Sequence, residues 1–143
     1  MATIEPERIR WVRYAADCAE RVLHLTGAAR PQAEAAIQAA RAWADEPTDG
    51  RRVVAMLAAD AADELAYEAS DAGFEVRADA IWGAAEAAFA ASAHGFSMAV
   101  SAAKYAADSA RAVHYLDSIE FGAYEAAREW QAERRKFYRL PGG

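Results

Sequence analysis

The stretch IWGAAEAAFAASAHGFSMAVSAAKYAADSARAV, Ile81 to Val113, decides the fold. Alanine recurs at almost every second position, and only Trp82, Phe89, Phe96, Met98 and Tyr105 interrupt it with large apolar side chains. Alanine is the strongest helix former and gives up almost no side-chain entropy on folding. Helices faced with alanine can approach more closely than helices faced with leucine. The stretch therefore reads as the centre of an all-α domain, packed tightly enough to leave little room for a cofactor. Gly95 predicts a break that divides it into two helices. Glycine within a helix costs only about 1 kcal/mol, so one bent rod is the alternative.

Outward from this centre the chain keeps the same period. The first helix is predicted from about Glu5 to Leu25, with Pro6 early, where its missing N–H costs nothing. Ile9, Val12, Ala16, Ala19, Val22 and Leu23 form its apolar face, and Gly27 ends it. The second starts near Pro31, turns Ala33, Ala36, Ile37, Ala40 and Trp43 inward, and stops before Pro47. Thr48 or Asp49 caps a third helix reaching about Asp71, with Val53, Met56, Leu57, Ala61, Leu65 and Ala69 expected inward. Gly73 closes it. The fourth runs from Phe74 or Val76 to about Ala93, the fifth from Ser97 to Leu116 and the sixth from Ser118 to Phe137. Short connections favour antiparallel neighbours, so the expected architecture is a single-domain up-down bundle of five or six helices with an alanine-rich core.

The 143 residues fit one domain with a substantial core. About 40 of them are alanine, far above ordinary usage. The single cysteine, Cys18, excludes an internal disulfide and a cysteine-based zinc cluster, and points to a reducing cytoplasm. Glu86, His94, Lys104 and Asp108 break up the most apolar region, so no membrane span is expected. Acids and arginines occupy the N-terminus where a signal peptide would need an apolar core.

The net charge of −6 is unevenly spread. Pro31 to Ala110 holds five basic and thirteen acidic residues, whereas both ends are nearly balanced. An acidic middle disfavours nucleic acid, whose phosphates require clustered Lys and Arg. On the third helix Asp60, Asp63, Glu64, Glu68 and Asp71 fall within an arc of roughly 140° at 100° per residue. Like charges at this spacing destabilise an isolated helix, and the nearest cations, Arg51 and Arg52, lie at its start. The arc reads either as a solvated acidic surface or as a partner-binding face for a basic protein, gaining on-rate and specificity from charge complementarity.

Catalytic signatures are missing. The sequence has no G-x-S-x-G elbow, phosphate-binding glycine loop, dinucleotide fingerprint or H-E-x-x-H. None of His24, His94 and His114 has an acid three residues before it, which argues against a carboxylate-bridged metal pair. Neither a metal nor a cofactor is expected. Glu20 and His24 are spaced for a surface ion pair, and Cys18, among Ala15, Ala19 and Val22, reads as a buried thiol. His94 is the histidine best placed to act, with Tyr105 and Glu86 as partners in a pocket between the fourth and fifth helices. The competing reading is a capping or core histidine. Trp11, Trp43, Trp82, Phe89 and Tyr105 read as packing that fills gaps around alanine.

Three stretches carry a family resemblance. Arg10-Trp-Val-Arg-Tyr-Ala-Ala-Asp-Cys-Ala-Glu-Arg-Val-Leu23, Ala35-Ala-Ile-Gln-Ala-Ala-Arg-Ala-Trp-Ala44, and Glu129-Trp-Gln-Ala-Glu-Arg through Leu140-Pro141 resemble the immunity-five-like bacterial immunity proteins of polymorphic toxin systems. Relatives often carry histidines in Gly-His-Ala and Ala-His pairs through the central helices, where this chain has His94-Gly95 and Gly83-Ala84. The resemblance implies a cytoplasmic protein that binds and neutralises a cognate protein toxin without catalysis. A helical small-molecule-binding protein, or a cofactor-free enzyme recruited to specialised metabolism and using His94, is the alternative. A homodimer joined through alanine faces is the third reading.

Overall fold

The computed structural model describes residues 5–116 and 121–142. The helices are α1 (Pro6–Arg21), α2 (Arg30–Asp45), α3 (Asp49–Asp71), α4 (Glu75–Ser92), α5 (Phe96–Leu116) and α6 (Phe121–Phe137), and no strand occurs among the described residues. Local chemistry sets their ends. Pro6 and Pro31 occupy the first turns of α1 and α2, where no intrahelical N–H is needed. The Thr48 hydroxyl accepts the Arg51 N–H at 3.2 Å and caps α3. At the other end Gly73 adopts φ 87°, so its N–H reaches the Ser70 carbonyl at 3.0 Å and that of Phe74 reaches Ala69 at 2.8 Å. This is a glycine-terminated Schellman turn, which satisfies carbonyls that the helix would otherwise leave unpaired.

Two boundaries differ from expectation. The first helix stops at Arg21 rather than Leu25, and two 3-10 turns, Leu23–Leu25 and Gly27–Ala29, carry the chain into α2. Buried Thr26 holds the first of these by donating its hydroxyl to the Leu23 carbonyl at 2.6 Å. The central stretch is two helices, since α4 ends at Ser92 and α5 begins at Phe96, which rules out the bent rod. The predicted start of the last helix near Ser118 lies outside the described residues.

Helix α4 is the axis of the bundle and packs against α1, α2, α3 and α5. Ala78, Ala80, Ile81, Gly83, Ala84, Ala85, Ala87, Ala88, Ala90 and Ala91 are all buried. A helix enclosed on this many sides needs small residues around most of its circumference, which explains the alanine run. Gly83 lies against α5: a Cβ there would meet the Ala106 carbonyl oxygen at 3.6 Å and the Ala110 amide nitrogen at 3.8 Å. A methyl group fits this contact, and any longer side chain would push α5 away. Trp11 and Trp43 fill the remaining volume on the α1 and α2 side, both 2% exposed.

The orientation of α3 corrects the sequence reading. Its buried residues are Ala55, Ala59, Ala62, Ala66 and Ala69, whereas Val53, Met56 and Leu57, predicted inward, are exposed, as is Ala61. The helix has two apolar stripes. The alanine stripe meets α4 because α4 is itself alanine-faced, and the two backbones approach only if neither carries bulk.

Two polar clusters tie the bundle together. Buried Arg8 of α1 donates to the Ala93 carbonyl and, at 3.4 Å, to that of Ala91, placing a cation at the C-terminal end of α4 where it suits the helix dipole. Asp17, also on α1, accepts from Arg41 of α2 at 2.9 Å, from Arg134 of α6 at 2.8 Å and from the Tyr138 hydroxyl at 2.6 Å. Burial alone would raise the Asp17 pKa, but the hydrogen bonds from Tyr138, Arg41 and Arg134 outweigh it and hold the carboxyl below its ordinary range.

Candidate partner-binding surface

The side of α4 that no helix covers completely bears Asp79, Trp82, Glu86 and Phe89, which recur at three- and four-residue spacing and so form one stripe. Helix α3 lies beside it. The Trp82 side chain lies near the Asp63 carboxyl and helps to hold its pKa down, and the Tyr67 ring meets the Trp82 ring edge to face at 5.4 Å between centroids. The acidic arc of α3 thus joins an aromatic floor supplied by α4. Asp60, Glu64, Glu68 and Asp71 are exposed, and Asp63 is half-buried at the edge of that floor. Val53, Val54, Met56 and Leu57 extend the face toward the start of α3 as an uncovered aliphatic patch.

The electrostatics of this face are one-sided. No ion pair among the described residues involves Asp60, Asp63, Glu64, Glu68, Asp71, Asp79 or Glu86. Burial pushes the Glu86 pKa up to about 7, and the neighbouring charge of Asp63 adds to the effect. Burial also raises Asp63, helped by Asp60 and opposed by the nearby Trp82 side chain. Asp79 is raised by burial and by Glu75. Carboxyl groups held in this way gain most from a cation brought close to them, because the cation relieves both the desolvation and the mutual repulsion.

A family model described as Imm-5 like putative immunity protein matches residues 2–137. The chain belongs to that immunity family. No curated protein matches the chain, and no solved structure does. The match runs through all six helices and so includes both the acidic arc of α3 and the aromatic floor of α4.

The remaining sequence candidates of this immunity-family member fall elsewhere. His94 lies exposed in the connection between α4 and α5, and Tyr105 is 62% exposed on α5, so neither lies in the packed interior. Glu86, half-buried on α4, belongs to the acidic face, where its described electrostatic neighbour is Asp63. The exposure of Tyr105 also corrects its assignment to core packing. Glu20 pairs with Arg41 rather than His24, because the chain leaves the α-helix before His24 and the i, i+4 geometry is lost. Cys18 is buried, and burial pushes its thiol up to about 12. Among the described residues no group of three or more His, Cys, Asp and Glu side chains is placed to hold a metal ion. No described helix is long and apolar enough to cross a membrane.

Trp82, Tyr67 and the aliphatic patch were not identified as parts of the face from sequence. The available signal was the second apolar stripe on α3, which periodicity alone assigns to the core.

Proposed function

We propose that this protein binds a cognate toxin through the outer faces of α3 and α4 and neutralises it by covering the toxin's active surface, without catalysis of its own. Membership of the immunity family supports the role. The observation that carries the proposal is the unpaired acidic face beside exposed Tyr67, Met56 and Leu57. An aromatic and aliphatic centre within a charged rim is the usual anatomy of a protein interface. The charge specifies the partner: a basic surface would complement it, whereas a second copy of this chain would set one acidic face against another. The proposed site of action is the cytoplasm, where a reduced Cys18 is at home.

The test is the triple variant Asp60→Lys, Glu64→Lys, Glu68→Lys, measured against the toxin encoded beside this gene. All three side chains are exposed, so the fold should survive their reversal. Affinity should fall at least 100-fold, largely through slower association, and its dependence on salt should flatten. Unchanged affinity and salt dependence would remove this face from the interface.

A further inference from the structure

A second charged feature, of the opposite sign, lies on helices other than α3 and α4. Between α5 and α6, with α1 as its floor, lies an open cleft of about 860 Å³. Lys104 and Arg111 of α5 and Arg128, Arg135 and Lys136 of α6 line it, and among the described residues Asp108 is the one acidic side chain in its lining. In a chain of net charge −6 this cluster of cations stands against the overall balance and makes a local field that attracts anions.

Among the described residues, carboxylates offset part of it. Asp108 pairs with Arg111 at 2.9 Å, and Glu133 pairs with Lys136 at 3.2 Å. Among the described residues Lys104, Arg128 and Arg135 have no carboxylate partner. Lys104 and Arg135 instead lie over the Trp11 ring, at 5.7 and 5.1 Å from its centroid. The Arg135 guanidinium carbon also lies 5.7 Å from the Tyr14 ring centroid, so its charge is held by two aromatic rings and by no carboxylate among the described residues. Its Nε is buried without a hydrogen-bond partner, and the half-buried side chain keeps part of its surface open to the cleft that it lines. The cleft walls are also fixed, because Gln131 is buried and donates to the Ala107 carbonyl at 2.9 Å, holding α6 against α5.

We infer that the α5–α6 cleft is a binding site for a compact small molecule bearing two or more phosphate groups. Several guanidinium forks around one space match phosphate oxygens in number and geometry. The volume exceeds what a single inorganic phosphate fills. A polynucleotide would run out of the cleft over a protein of net charge −6 and be repelled there, whereas a compact anion stays within the basic walls. Helix α3 contributes no lining residue, so this site is independent of the proposed toxin-binding face.

Tripolyphosphate is the probe, titrated at constant ionic strength with calorimetry and backbone NMR as readouts. The expected result is saturable binding with amide shifts confined to α5, α6, the facing turn of α1 and the segment around Leu140 that also lines the cleft. The double variant Lys104→Gln, Arg128→Gln removes two exposed cations, one of them from the Trp11 ring, and leaves Arg135 on that ring; its helical circular dichroism should match the parent's. Its affinity for tripolyphosphate should fall at least tenfold. Absence of saturable binding, or equal affinity in parent and double variant, overturns the assignment. So does a short oligodeoxynucleotide that displaces tripolyphosphate at lower concentration than tripolyphosphate itself binds, since that would make the cleft a nucleic-acid site.

Discussion

Replacing Gly83 by alanine tests the packing of the two central helices directly. Gly83 is helical and buried, and in the interior of a helix glycine costs about 1 kcal/mol relative to alanine through backbone entropy. The new methyl would find the Ala106 carbonyl oxygen at 3.6 Å, the Ala110 amide nitrogen at 3.8 Å and the Ala110 Cβ at 3.9 Å. All three are ordinary van der Waals separations, so the entropic gain is not consumed by strain. Gly83→Ala should therefore stabilise the protein by about 0.5–1 kcal/mol, raising Tm by about 2–3 °C for a chain of this size. Thermal unfolding followed by circular dichroism, with urea denaturation to confirm an unchanged m-value, provides the assay. Gly83→Leu is the opposing control, since its extra carbons have nowhere to go but into α5, and it should cost about 3 kcal/mol. A Gly83→Ala variant destabilised by more than about 1 kcal/mol, or a Gly83→Leu variant as stable as the parent, would refute this account of the α4–α5 contact.

Two further perturbations address the polar groups. Asp17→Asn should cost about 2–3 kcal/mol at neutral pH, because it removes the charge that Arg41 and Arg134 share, and urea denaturation would measure the loss. Since the folded pKa of Asp17 lies below its ordinary 3.8, this stabilisation is complete above that value and disappears as pH falls through the lower folded pKa. The gap between parent and variant should therefore close in acid. Glu86 has the reverse sign. Folded protein keeps its proton up to about pH 7 while the unfolded chain releases it near 4.5, so the parent loses stability as pH rises between these values. Glu86→Gln should be near neutral at pH 4.5 and stabilising on the order of 2 kcal/mol at pH 8, and an advantage independent of pH would contradict the assignment.

Much of the architecture was readable because punctuation residues stand where the physics requires them. Pro6, Pro31, Thr48, Gly73 and the Gly95 connection set helix ends close to where they are observed. The inward face of α2 was also legible, since Ala33, Ala36, Ile37, Ala40 and Trp43 form its only apolar stripe and all are buried. Helix α3 defeated the same logic. With two apolar stripes, choosing the larger residues is the natural rule, yet the identity of its neighbour reverses it: α4 accepts alanine and excludes Val53, Met56 and Leu57.

The candidate surfaces divide in the same way. The acidic arc of α3 lies within one helix and follows from helical periodicity. Its aromatic floor depends on Trp82 from the next helix, which periodicity does not place. Asp17 is more than 100 positions from Arg134 and Tyr138, and no local pattern links such residues. The basic cleft was invisible for a related reason. Charge from Arg111 onward is nearly balanced along the chain, and only folding brings Lys104 beside α6 and sorts the cations to one side.

The alanine stripe of α3 separates two duties that most amphipathic helices combine. Val53, Val54, Leu57, Asp60, Glu64, Tyr67 and Glu68 are exposed, so little of the stability of the fold depends on them. Their identities can drift generation by generation while Ala55, Ala59, Ala62, Ala66 and Ala69 keep the helix docked on α4. A scaffold built in this way can change the chemistry of its outer face without re-evolving its interior.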